Sequence, residues 1–442
     1  MRRLVPAVLQ RNPAYARLWA GKWTSKFGSQ FTYMTFPLVA YAITGSGQVF
    51  AGVVFATTIG VLLAGLVGGA IADRFDRQRT LIAGDAVLVV LVVGIALAVH
   101  ARIWPMFVGL VFLQAIVGAL SSSTASLQRD LIAEPDRSAA NALEQLAQNA
   151  CQLSSPLVGV ALYTVVGFTA VICVDVVTFI ISIVCVLGVR DPRGAERRAH
   201  AAASTSGIAE GARQLRRDIR GGLRLARHDR FLSAQIAGAL FAGVANGAFF
   251  IALVPWTVRT LDLPVQAFSL LIGWVGATGV ISALILTRLG DRFRPERLVF
   301  VGAVVGIAGS LALLGTPPLW LVVIGIGAFG VANVTNNVGG ATIMQRRFDP
   351  DTLGRVMSLH QNAFMLTHLI GIAGTGLLID VVAPTSILAV FSIGMAICFG
   401  LEIWGLRFRH GLAHGIADDG TLVARAAAEK IATADADLAV SG

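Results

Sequence analysis

Lys22, Lys26, Gln30 and Tyr33 follow one another at three to four residues inside the first long apolar run, so on a helix they share one face. An ionisable group in hydrocarbon is costly and asks for a partner or a wet cavity. These two lysines are two of only three in the chain. If their face looks into a cavity, the site is basic and suits an organic anion. The alternative is that Lys22 reaches back to the cytoplasmic surface while Lys26 pairs with a structural acid, for which Asp85, Glu144 and Asp175 are available.

Other polar groups recur inside apolar sequence. Ser121, Ser122, Ser123 and Thr124 precede Gln128, and Asn333, Thr335, Asn336 and Asn337 precede Gln345. Asn141, Gln145, Gln148 and Gln152 form a stripe at helical spacing, echoed by Gln361 and Asn362. Hydrogen bonding between helices and contact with a solute both account for such residues. His360 and His368 stand two turns apart, and histidine titrates near neutral pH, so His360, with Glu144 and Asp85, is a candidate for proton coupling. A structural role for the histidines is the alternative. Cys151, Cys173, Cys185 and Cys398 all fall in apolar runs and read as packing residues, with neither disulfide nor metal site expected. No phosphate-binding loop, metal-ligand spacing or nucleophile motif occurs, so no cofactor, ATP-driven step or catalytic chemistry is expected.

What must position these groups is a membrane protein. Of 442 residues 55% are hydrophobic and only 14% charged, against roughly 25% charged in soluble domains. Apolar windows long enough to cross the bilayer predict twelve transmembrane helices at 18–43, 48–72, 80–101, 103–124, 139–165, 168–189, 232–257, 265–289, 296–315, 318–343, 352–380 and 383–407. The segments outside them are an N-terminus of 1–17, a basic connection over 190–231 and a tail over 408–442. No removable signal peptide is expected at the N-terminus.

A net charge of +10 could point to nucleic acid, but the placement of the charges accounts for it better. Of the 35 Lys and Arg, Arg102 and Arg259 alone fall in loops on one side, two lie in the first span, and the rest fall on the opposite side. The positive-inside rule then puts both termini in the cytoplasm of an inner-membrane protein. In the connection, Ile208, Ala212, Leu215, Ile219, Leu223 and Ala226 recur between arginines, the pattern of a basic helix lying on anionic lipid; a solvated linker is the alternative. The Ala-rich tail carries no readable motif and is expected to be disordered.

The halves repeat. Asp73-Arg74-Phe75 returns as Asp291-Arg292-Phe293, and Leu127-Gln128-Arg129 returns as Met344-Gln345-Arg346, at offsets of 218 and 217 residues. Two ordered echoes at nearly one offset predict six helices repeated in parallel, around a central cavity. The stretch Gly69-Ala70-Ile71-Ala72-Asp73-Arg74-Phe75-Asp76-Arg77-Gln78-Arg79 resembles the loop between the second and third helices of the major facilitator superfamily, in the branch of enterobactin exporters and macrolide efflux proteins. The resemblance spans roughly residues 10–408. Asp76 and Gln78 depart from the family pattern, which has glycine and a basic residue there.

The resemblance implies a cytoplasmic gate at Asp73, Arg74 and Arg77, with Asp291 and Arg292 repeating it, where charge that only sets topology is the alternative. It implies that the first, fourth, seventh and tenth helices line the cavity, making Lys26, Gln30, Tyr33, Ser123, Asn333, Asn336 and Asn337 substrate-binding candidates. Ala142, Cys151, Ser155-Pro156 and Gly159 stand where family antiporters carry a Gly-rich signature. The expected function is proton-coupled export of a drug, siderophore or other small organic molecule by alternating access. Its partners would be a small solute, protons and membrane lipid, the protein acting as a monomer without nucleic acid. Import of a small organic anion by symport, and a non-transporting membrane sensor or assembly protein, are the competing functions.

Overall fold

The computed structural model describes residues 7–72, 77–121, 125–189, 224–289, 293–348, 350–408, 413–416 and 422–425. Apart from short helical pieces at Ala7–Arg11 and Ala125–Leu131, twelve helices of 18 residues or more follow in order: α1 Pro13–Thr44, α2 Gly47–Ala72, α3 Arg77–His100, α4 Trp104–Ser121, α5 Arg137–Val166, α6 Phe168–Leu187, α7 Arg230–Arg259, α8 Ala267–Leu289, α9 Pro295–Ala312, α10 Leu319–Arg347, α11 Pro350–Leu378 and α12 Pro384–Leu406.

Nine of the described helices are long and apolar enough to cross a membrane; α1, α5 and α11 are not among them. Those three carry the lysines, the Gln-Asn stripe and the histidines. Rows of large apolar side chains point outward, as at Val87, Val90, Val93 and Leu97 on α3 and at Val177, Ile180, Ile181, Val184 and Leu187 on α6. Such rows would be a liability in water and are the natural surface in lipid.

Most boundaries fall within two or three residues of the expected spans. The first helix is the main exception: Asn12 caps it, its side chain accepting from Tyr15 N at 3.0 Å, and Pro13 occupies the first turn, where a missing N–H costs nothing. Lys26 is therefore about 20 Å along α1 at 1.5 Å per residue, deeper than the span boundary at 18 implies.

The chain divides into two compact units, residues 1–213 and 214–442. In the first, α1 packs on α5 and α6, α4 on α2 and α3, and α3 on α6; in the second, α7 packs on α11 and α12, α10 on α8 and α9, and α9 on α12. Each of these pairs in the first unit returns six helices later in the second.

The echo extends to single contacts. A Cβ placed on Gly21 of α1 would meet Cys185 and Ser182 of α6 at 3.0–3.2 Å; one on Gly238 of α7 would lie 3.4–3.5 Å from Cys398 and Glu402 of α12. Arg17 lies against Gly188 as Ala234 lies against Gly405. The caps Asn12 and Asp229 share the same offset of 217 residues, and Pro37 and Pro255 fall inside α1 and α7 at an offset of 218. The repeat read from two short motifs is thus carried by the helix crossings themselves.

In the first unit Phe36, Phe107, Ile95, Val111 and Phe179 form a buried core, with the Phe36 and Phe107 rings edge to face at 6.0 Å. In the second, Phe249, Phe329 and Phe391 cluster with centroids 4.5–5.1 Å apart. The predicted interfacial helix lies outside the described residues except for a helical piece over 224–228. In the tail, expected to be disordered, Ala413–Ile416 and Leu422–Arg425 pair antiparallel.

Candidate functional site

The first unit holds an open cavity of about 280 Å³. Along α1 it is lined by Lys22, Ser25, Lys26, Ser29, Gln30 and Tyr33, the expected face with two serines between its members; Asp85 of α3, Gln114 and Ser121 of α4 and Ser182 of α6 close it. Val61, Leu88 and Val111 supply apolar wall.

The two lysines have different partners. Lys22 Nζ lies 2.6 Å from Glu144 Oε2, with both side chains more than four-fifths buried. Lys26 Nζ donates to Gln148 Oε1 at 2.7 Å. The two contacts are successive rungs between α1 and α5, each advancing four residues on both helices, and of the expected Asn-Gln stripe they use Gln148. Trp23 stands beside both ammoniums, its ring centroid 5.3 Å from Lys22 Nζ and 5.1 Å from Lys26 Nζ, within cation–π range.

This reverses the alternative drawn from sequence, in which Lys22 reaches the surface and Lys26 takes the acid. Lys22 takes it, so Glu144, expected as a proton carrier, is engaged in an ion pair. Lys26 has a neutral amide oxygen and an aromatic ring for company. Of this cluster Lys22 and Lys26 stand on the cavity wall, while Glu144 pairs with Lys22 from α5.

Asp85 is 5% exposed, lines the cavity and accepts from Ser25 Oγ at 3.4 Å. Asp175 does not line it; it is fully buried in α6 against Gly28 of α1. Tyr33 and Gln30 sit on the wall as expected. Gly159 of α5 meets α1 closely, since a Cβ there would fall 3.0 Å from Phe31 Cα.

In the second unit the asparagines separate. Asn337 Nδ2 donates to Asn333 Oδ1 at 3.0 Å on an exposed face, whereas Asn336 turns into the protein and donates to Glu402 Oε2 of α12 at 2.8 Å. Glu402, buried beside Cys398, went unnoticed in the sequence because a lone acid near the end of a span reads as a boundary residue. His360 Nδ1 is buried without a hydrogen-bond partner among the described residues, and His368 stacks on Phe364 with centroids 5.7 Å apart.

Of the expected gate, Asp73, Arg74, Asp291 and Arg292 lie outside the described residues, as does Ser123. Arg77 opens α3 and is buried. Gln78, the departure from the family pattern, donates from Nε2 to Val186 O at 3.1 Å and Leu187 O at 3.3 Å, satisfying carbonyls that the end of α6 leaves open. A second feature escaped the sequence. Arg347 at the end of α10 clasps Asp229, with Nη2 and Nε at 2.8 and 3.2 Å from Oδ2, while Oδ1 caps α7 through Leu232 N at 3.0 Å. The offset from Asn12 could have found it, since Asn12 likewise both caps its helix and bonds Leu131 O.

Two units of one helix order, with rows of apolar side chains facing outward and a cavity carrying two lysines and an aspartate in the first, have the architecture of a multi-pass membrane transporter. The family model described as Major Facilitator Superfamily matches residues 18–372 and 236–418, and this chain belongs to that family. It is 23% identical over 380 residues to Macrolide efflux protein A of Streptococcus pyogenes, covering 82% of this chain and 88% of that protein. It is 22% identical over 369 residues to an uncharacterized MFS-type transporter, YkuC, of Bacillus subtilis, covering 80% and 83%. Among solved structures, a bacterial homologue of the iron transporter ferroportin in its inward-facing state superposes with a TM-score of 0.65 at 15% identity, over 90% of this chain and 98% of that one. A D-xylose–proton symporter does so with a TM-score of 0.64 at 14% identity, over 89% and 97%.

Proposed function

We propose that this protein is a secondary transporter of the inner membrane, with both termini cytoplasmic, that exports a small organic molecule in exchange for protons by alternating access. The observation that carries the reading is Lys26. An ammonium deep in a helix, on a cavity wall, bonded to a neutral amide, is ready to receive a carboxylate or other anionic group of a solute. The efflux protein among its relatives supports the outward direction.

The test uses inverted vesicles carrying the full chain and a panel of macrolides and carboxylate-bearing natural products. Accumulation of at least one compound under an inside-acid gradient, abolished by collapsing the gradient, is the expected result. Gradient-driven uptake into right-side-out vesicles instead would replace export by anion symport. Absence of any solute flux in either orientation would favour a sensor or assembly protein.

Two further expectations belong to this reading. Asp73, Arg74 and Arg77, with Asp291 and Arg292, act as the cytoplasmic gate, so Asp73→Asn lowers transport at unchanged membrane abundance. Wild-type flux by that variant would reduce these charges to topology. A cysteine introduced at Ser204 is labelled from the cytoplasm and one at Gly315 only from outside. Labelling of both from one face would break the assigned topology, including the basic connection of 190–231 that is proposed to lie on anionic lipid. The protein is taken to act as a monomer.

A further inference from the structure

The cavity of the first unit changes character along its length. On α1 its wall runs from Lys22, Ser25 and Lys26 to Phe36, about 15 Å beyond Lys26 at 1.5 Å per residue. On α3 Asp85 is followed one turn later by Leu88, and on α4, which runs the other way, Ser121 gives way to Gly118 and then Val111. Ser121 lies against Gly84 and Gly118 against Leu88, so the rows keep step. One end of the cavity is polar and the other apolar.

Two opposite charges stand at the polar end and do not meet. Lys26 Nζ has the neutral Gln148 Oε1 at 2.7 Å and the Trp23 ring at 5.1 Å, while Asp85 is met by the hydroxyls of Ser25, at 3.4 Å, and Ser182. Neither has an ion-pair partner among the described residues, and Glu144 is committed to Lys22 at 2.6 Å.

Walls of this kind discriminate by charge. A simple anion drawn to Lys26 would share the cavity with the Asp85 carboxylate, and a simple amine drawn to Asp85 would share it with Lys26. Each leaves one wall charge uncompensated and adds a repulsion. A molecule bearing both charges satisfies both walls. The apolar end then favours an apolar substituent, since Leu88, Val111 and Phe36 gain by losing contact with water. Volume sets the scale: 280 Å³ is room for about nine waters at ~30 Å³ each, comparable to the non-hydrogen atoms of leucine.

We propose that this cavity seats a small zwitterion with an apolar side group, an aliphatic amino acid, its carboxylate on Lys26, its ammonium on Asp85 and its side group along Leu88, Val111 and Phe36. Asp85, expected as a proton carrier, here sets specificity. Ser25 of α1 and Ser182 of α6 position its carboxylate, and an asparagine in its place still accepts from a hydroxyl, so charge can be removed without removing every contact. The inference deepens the transport reading and rests on it for the biological role, but binding alone tests the site.

The probes are leucine, isopentylamine, which lacks the carboxylate, isocaproate, which lacks the amine, and glycine, which lacks the side group. Each is titrated calorimetrically into the full chain in detergent at neutral pH. The wild type is expected to bind leucine at least about tenfold more tightly than any of the other three. Asp85→Asn should weaken leucine about tenfold while isocaproate binds as well as before or better; Lys26→Gln should weaken leucine and spare isopentylamine in the same way. A uniform loss across the probes in Asp85→Asn would make that residue structural and overturn the assignment. Either single-charge analogue, or glycine, bound by the wild type as tightly as leucine overturns the proposal, as does the absence of leucine binding. If Asp85→Asn does not fold, the wild-type series decides. Leucine binding in a protein that shows no gradient-driven flux upholds the site and sinks the transport reading; flux of another compound without leucine binding does the reverse.

Discussion

Arg347→Met is expected to lower the stability of the second unit by about 3–5 kcal/mol, the range for removing one member of a buried ion pair. The side chains of Arg347 and Asp229 are 3% and 0% exposed, so Asp229 would be left as a buried charge without a countercharge. Arg347 also donates from Nη1 to Phe408 O at 3.2 Å and lies over the Phe231 ring at 5.3 Å, so the end of α10, the start of α7 and the end of α12 loosen together. Most of this loss should return in the double variant Asp229→Asn with Arg347→Met. Asparagine still caps α7, as Asn12 caps α1, while the stranded charge is gone. Unfolding in detergent, followed by tryptophan fluorescence, measures both variants. A single variant within about 1 kcal/mol of wild type would place the pair with ordinary surface ion pairs.

The second large effect is on solute. Lys26→Gln is expected to weaken binding of an anionic compound from the efflux panel by about ten- to a hundredfold, the ~1.5–3 kcal/mol of a charge-assisted hydrogen bond. Abundance should change little, because Gln148 is neutral and no acid is abandoned. Lys22→Gln should differ in kind: it strands Glu144, so the protein loses stability, and Glu144→Gln in the same chain restores it. Trp23, 5.1 Å from the Lys26 ammonium, offers a local fluorescence signal for titration. Wild-type affinity in Lys26→Gln would remove the case for a basic solute site.

Bilayer thickness and the absence of water for backbone groups leave an apolar chain few solutions, so the order and approximate ends of most helices were legible from hydropathy, whereas α1, α5 and α11 are not apolar enough to count as membrane spans on length and composition. The repeat was legible in the echoes of Asp73-Arg74-Phe75 and Leu127-Gln128-Arg129; its extension to Gly21 and Gly238 or to the caps Asn12 and Asp229 came only from the packing. The shared face of Lys22, Lys26, Gln30 and Tyr33 followed from 3.6 residues per turn.

Partner choice was not legible. One helix face fixes which residues stand together but not the register of the helix opposite, and a shift of one turn on α5 would give Glu144 to a different lysine. Only the packing of α1 on α5 assigned the acid to Lys22 and a neutral amide to Lys26. Packing also decided what the repeat conceals. At the offset of 217 Lys26 corresponds to Gly243, which lies tightly against Thr367, Phe364 and His368 of α11, so α7 and α11 cross closely where α1 and α5 meet through the side chains of Lys26 and Gln148. Equal sequence spacing gave two helices the same neighbours, and the side chain at one position decided whether the crossing is bridged by polar groups or packed backbone to backbone.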